Sequence, residues 1–208
     1  MNNKFFTYLW IFLGVAILIA ASLLNKTSTE NVQAGISDKI LRLHIIANSD
    51  SDEDQALKLK VKDKVVEYLE TLLDGSNSLD ESMDIVAAHY DDINNICSEV
   101  IKNEGYSYPV NSVIENTEFP VKSYGDITLP AGSYTALRIT IGESLGKNWW
   151  CILYPPLCFV DATCGVVPDD SKKELKNILS ENEYEAILSH DADVSFRFKY
   201  LTFLNDLF

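Results

Sequence analysis

The chain has 208 residues, with 31 acidic and 17 basic side chains, a formal charge of -14 and a 47% hydrophobic composition, which suits one domain plus a short appendage. That charge disfavours DNA and RNA as partners, because phosphate binding rests on clustered Lys and Arg that release counterions. General disorder is excluded by the 22 aromatic residues, which supply a core able to oppose chain entropy.

The appendage comes first. Phe5 to Leu24 runs for 20 positions without a charge, preceded by Lys4 and the amino terminus. At about 1.5 Å per residue this run can cross a ~30 Å hydrocarbon core. Positive, then apolar, then polar is the order of a secretory signal, or of an N-terminal anchor whose amino end stays in the cytosol. Residues 1–34 are therefore read as a signal peptide or membrane anchor. Val32-Gln33-Ala34 before Gly35 is a passable small-residue cleavage site, so cleavage and retention both stay open. Without Lys4, Lys26 and Glu30, residues 35–208 hold 15 basic and 30 acidic side chains, a charge of -15. They read as one exported acidic domain.

Ile40 to Ala47 alternates as a strand, with Leu41, Leu43 and Ile45 on one face and Arg42 and His44 on the other. It stops at Asn48-Ser49-Asp50-Ser51, where Asp50 or Ser51 can cap a helix whose first turn carries Asp52, Glu53 and Asp54. Leu57, Val61, Val65, Leu69 and Leu72 then form a core stripe to about Leu73, and the Lys58-Lys60-Lys62-Lys64 run forms its solvated side. After the turn Asp74–Asn77, a second stripe through Met83, Val86, Tyr90, Ile93, Cys97 and Val100 predicts one helix ending near Gly105. Short β-like runs follow at Ser112–Ile114, Phe119–Ser123, Tyr134–Ile141 and Trp149–Tyr154. Lys172 to Leu188 returns to helical spacing, and Val194 to Tyr200 alternates as a last strand. The order predicts an α+β single domain with a mixed β-sheet and about three helices.

Export permits disulfides, and Cys97, Cys151, Cys158 and Cys164 allow three full pairings, which spacing does not decide. Cys97 lies on an apolar helix face and reads as a buried thiol. The spacing of the other three matches no structural zinc pattern. Asp50-x-Asp52-x-Asp54 starts like a calcium loop, yet Gln55 and Val61 stand where Gly and a bidentate Glu are required. Gly142-Glu143-Ser144-Leu145-Gly146 fits the nucleophile elbow G-x-S-x-G, but the residues after it read as strand, so a glycine-bounded hairpin explains it better. His44, His89 and His190 have no catalytic motif around them. No metal site, cofactor, catalytic residue or small-molecule substrate is expected.

Two stretches are more specific: Leu41-Arg42-Leu43-His44-Ile45-Ile46-Ala47-Asn48-Ser49-Asp50 onward to Asp63, and Leu129-Pro130-Ala131-Gly132-Ser133-Tyr134 continuing through Asn148-Trp149-Trp150-Cys151 to Pro155-Pro156-Leu157-Cys158-Phe159. Together they resemble the stage II sporulation protein R family over most of residues 38–160. The resemblance implies a signalling protein of endospore-forming bacteria, made in the forespore and exported between the two sporulation membranes. There it implies a trigger for a membrane-embedded aspartic peptidase that processes a mother-cell sigma-factor precursor. No catalytic residues come with the family.

The partner-contact candidates are Asn148, Trp149, Trp150, Pro155 and Pro156, with Asn48 and Asp50 on the strand-to-helix loop. Adjacent strand residues face opposite ways, so one tryptophan of the pair meets solvent, a second layer or a partner unless both faces of the sheet are covered. Asn48 to Asp54 reads first as a helix cap and second as a contact edge. An exported hydrolase or a cell-wall sugar-binding module is the competing class, which would need a cleft with convergent polar groups.

Overall fold

A computed structural model describes residues 8, 10, 12–17, 19, 31–158 and 167–188. Most of the export segment, Phe159, Cys164 and the strand expected at Val194 to Tyr200 lie outside the described residues. Among the described residues no helix is long and apolar enough to cross a membrane.

Residues 31–37 are helical and lead into β1 (Leu41–Ile46), α1 (Asp52–Leu73), α2 (Leu79–Ala88) and α3 (Tyr90–Asn103). Five strands follow: β2 (Val110–Phe119), β3 (Lys122–Tyr124), β4 (Ile127–Leu129), β5 (Gly132–Ile141) and β6 (Asn148–Tyr154). The described part closes with α4 (Asp169–Ile178) and α5 (Glu181–Leu188). The fold is α+β, with a four-stranded sheet in the order β2-β5-β1-β6 and a separate β3–β4 pair. The sheet is mixed, because β1 runs parallel to β5 while β6 and β2 run antiparallel to their neighbours.

Two expected helices each divide. The stripe from Met83 to Val100 breaks at His89, whose backbone leaves the helical region (φ -117°, ψ 20°) and whose Nδ1 lies 2.7 Å from the Ile85 carbonyl. Residues 172–188 break at Leu179, which turns extended (φ -86°, ψ 149°). A stripe of apolar residues keeps its period across such breaks, because both pieces pack on the same core.

All six β1 residues are buried, so the face that carries Arg42 and His44 is covered as well as the apolar one. β1 is an interior strand covered on both sides. Leu43 and Ile45, with Leu137 and Ile139 of β5 beside them, form one layer of the core. Arg42 and His44 lie on the opposite face, where Phe119, Tyr134 and the β3–β4 pair cover them. Lys58 is a correction: it is buried, and its Nζ donates to Gln55 Oε1 (2.7 Å) and to the Lys147 carbonyl (3.0 Å).

An edge strand leaves backbone groups free to pair with another chain. On β6 two outward carbonyls are already taken, that of Trp150 by the Tyr124 hydroxyl (3.2 Å) and that of Ile152 by the Leu157 N–H (3.1 Å).

Candidate functional site

The loop after β1 does two jobs. Ser51 caps α1, its hydroxyl accepting from the Asp54 N–H. Asp54 itself turns inward and accepts from Asn48 Nδ2 (2.8 Å) and Ser49 Oγ (2.5 Å). Burial works to raise its carboxyl, but hydrogen bonds from Ser49, Asn48 and Tyr108 outweigh burial and hold it below its ordinary value. Asn48 Oδ1 then accepts from the Glu143 N–H (2.9 Å), and Asp50 Oδ1 from the Lys147 N–H (2.6 Å). Both contact candidates on this loop thus use side-chain oxygens to hold the 142–147 connection.

That connection is not a hairpin in the strict sense, since β1 lies between β5 and β6. It crosses the C-terminal end of β1, with the Leu145 and Gly146 N–H groups donating to the Asn48 and Ala47 carbonyls. Gly142 has φ +60°, and a Cβ on Gly146 would collide with the Ser49 backbone carbonyl. The two glycines of the G-x-S-x-G match are therefore explained by turn geometry and close approach. Ser144 (φ 57°) leads into β6 rather than a helix, so the elbow geometry is missing.

Along β6 the two tryptophans face opposite sides, as expected, and both are half-buried. Lys62 of α1 lies 4.7 Å above the Trp149 ring, and Lys122 of β3 4.3 Å above that of Trp150. Cation–π contact of this kind contributes about 0.5–1 kcal/mol at exposed sites. Asn148 Oδ1 meets His44 Nε2 at 2.8 Å, and the His44 ring stacks on Trp150. Beyond β6, Pro155 follows a cis peptide bond and a Cys151–Cys158 disulfide ties the turn back to the strand. The candidates consequently fall into two groups at opposite ends of β6, roughly 20 Å apart at ~3.3 Å per residue. Asn48, Asp50 and Asn148 are at one end, Pro155 and Pro156 at the other.

Sequence reasoning missed Arg42 as an interior residue. Its guanidinium sits 3.9 Å from the Phe119 ring centre and 4.9 Å from that of Tyr134, and Nη2 donates to the Tyr124 hydroxyl (2.6 Å). Nε and Nη1 are buried without a hydrogen-bond partner among the described residues. Burial lowers its pKa, and the two tyrosines partly offset this. His44 is likewise lowered by burial, against the hydrogen bond to Asn148. The available signal was Ile45-Ile46-Ala47, where the alternation gives way to apolar residues on both faces, as in a strand covered on both sides.

These features define a small α+β protein whose polar loops are built around internal hydrogen bonds. The family described as Stage II sporulation protein R matches residues 37–164. The chain is also 34% identical over 180 residues to the Stage II sporulation protein R of Bacillus subtilis (strain 168), covering 84% of this chain and 80% of that protein. No solved structure matches. The chain belongs to the stage II sporulation protein R family, and is thereby a sporulation protein.

Proposed function

We propose that the chain is an exported signalling ligand, made in the forespore and acting between the two sporulation membranes. In this reading residues 1–34 carry it out of the forespore or hold it at the membrane. It triggers a membrane-embedded aspartic peptidase, which then processes a mother-cell sigma-factor precursor. Family membership over residues 37–164 carries the reading, and the uncharged run from Phe5 to Leu24 supplies a route for export.

The chain's part is contact, with no cofactor and no chemistry of its own. His44 Nε2 meets Asn148, Asp54 is held by the β1–α1 loop, and Ser144 leads into a strand. The proposed contact surface follows β6 and its flanking loops, with Asn148, Trp149, Trp150, Pro155 and Pro156 joined by Asn48 and Asp50.

Co-expression of the full chain with the peptidase and the precursor, in a host lacking all three, tests the reading. Precursor cleavage is expected only when all are present. Equal cleavage without the chain would sink it. In the same assay Ser144→Ala is expected to retain cleavage and to change stability by no more than about 0.5 kcal/mol, the usual range for a surface site. Loss of cleavage at normal stability would revive the hydrolase alternative.

A further inference from the structure

A cleft of about 800 Å³ opens where the C-terminal end of α1, the Pro155–Pro156 turn and α4 meet. That volume lies in the ~300–1,000 Å³ range of ligand sites. Buried Leu73, Leu153 and Tyr154 and the two prolines give it an apolar part, beside polar Thr71, Asn77 and Asn177. The lining also carries Glu70, Asp74 and Glu174, and among the described residues no Lys or Arg lines the cleft.

These acids are poorly placed for folding alone. Glu70 is in the last turn of α1 and Asp74 is its C-cap, with no basic residue in that turn. The dipole favours cations there and disfavours acids. None of the three has an ion-pair partner among the described residues, whereas neighbouring lysines are engaged elsewhere: Lys173 pairs with Asp170, and Lys176 lies over the Tyr184 ring. Burial, Asp170 and Asp74 together push the Glu174 carboxyl up, and burial, Glu81 and Glu174 raise the Tyr154 hydroxyl. Glu70, Asp74 and Glu174 thus give the lining charge of one sign beside its apolar residues. Among the described residues no three acidic, His or Cys side chains are gathered to hold a metal ion, so a bulkier organic cation fits better.

We infer that this cleft receives an extended, Lys- or Arg-bearing segment of the partner protein, whose apolar residues reach the apolar part while its cations meet the acids of the lining. The inference rests on the ligand reading above and names the chemistry of the segment that reading requires. Opposite charge would steer the encounter and make it depend on salt.

The test uses the full chain in detergent and the peptide acetyl-Val-Arg-Val-Lys-Val-Arg-amide, titrated by calorimetry. Binding is expected, weakening at least about fivefold between 50 and 300 mM salt. Asp74→Lys/Glu174→Lys is expected to weaken it at least about tenfold at a melting midpoint no lower than that of the wild type, since both side chains are exposed and a cation suits the end of α1. The double variant should lower precursor cleavage in parallel. No binding, or equal binding of a peptide with Ala at the basic positions, would overturn the inference. Equally tight binding of spermidine or calcium would overturn the peptide occupant. Normal cleavage by the double variant would remove the cleft from signalling and leave the ligand reading standing. Failure of the wild-type chain to support cleavage would instead remove the ligand reading.

Discussion

Arg42→Ala is expected to lower the unfolding free energy by about 3–5 kcal/mol, the range for truncating a large side chain in a core. Arg42 is fully buried in the interior strand β1, and its guanidinium fills the space between Phe119, Tyr134 and Tyr124. Truncation opens a cavity there and takes the donor away from the Tyr124 hydroxyl. Arg42→Met should behave differently. Methionine keeps most of the volume, packs against aromatic rings and carries no charge to desolvate. It should therefore recover most of the lost stability. Urea unfolding of both variants decides the point. If Met costs as much as Ala, the cation itself holds the aromatic cluster together.

Asp54→Asn should be the next most damaging change, at about 1.5–3 kcal/mol. Asn48 and Ser49 both donate to one carboxylate oxygen, Oδ2, and hydrogen bonds to a charged group are the stronger kind. An amide oxygen in that place keeps both donors but loses the charge that strengthens them, and its NH₂ replaces the second carboxylate oxygen. The folded-state pKa of Asp54 is depressed, so the carboxylate's contribution is complete above its unfolded value of about 3.9 and is lost as pH falls through the folded value below that. The stability gap between wild type and Asp54→Asn should thus be full at pH 7 and narrow below about pH 4. A gap that stays constant down to pH 3 would show that shape, not charge, is what the loop requires. Because Asn48 also holds Glu143, the same variant should loosen the 142–147 connection, read as faster amide exchange at Leu145 and Gly146.

What the sequence disclosed was largely local. The strand from Leu41, the start of α1 and its Ser51 cap follow from patterns only a few residues long, as do the buried Cys97 and the opposite facing of Trp149 and Trp150. Partnership was harder. The sheet places β1 between β5 and β6, and nothing within β1 says that its second face meets Phe119 and Tyr134, some 75–90 residues away. The burial of Arg42 is not legible for that reason, since a cation inside an aromatic cluster looks like a solvated residue when only its own strand is read. Lys58 was misplaced for a similar reason, because its partner carbonyl belongs to Lys147. The acidic cleft was invisible for a related reason: Glu70, Asp74 and Glu174 come from two helices whose meeting is decided by packing. The Cys151–Cys158 pairing needed the turn through Pro155 and Pro156, which folds the strand end back on itself.

Burial gives Cys97 a chemical consequence. Its thiol is pushed up to about 12 by the core around α3, so at pH 7 only about 10⁻⁵ of it is thiolate, the form that attacks a disulfide. Exchange between Cys97 and the Cys151–Cys158 bridge is therefore suppressed in the folded domain. Packing of α3 keeps one sulfur chemically apart from the bridge beside the cleft.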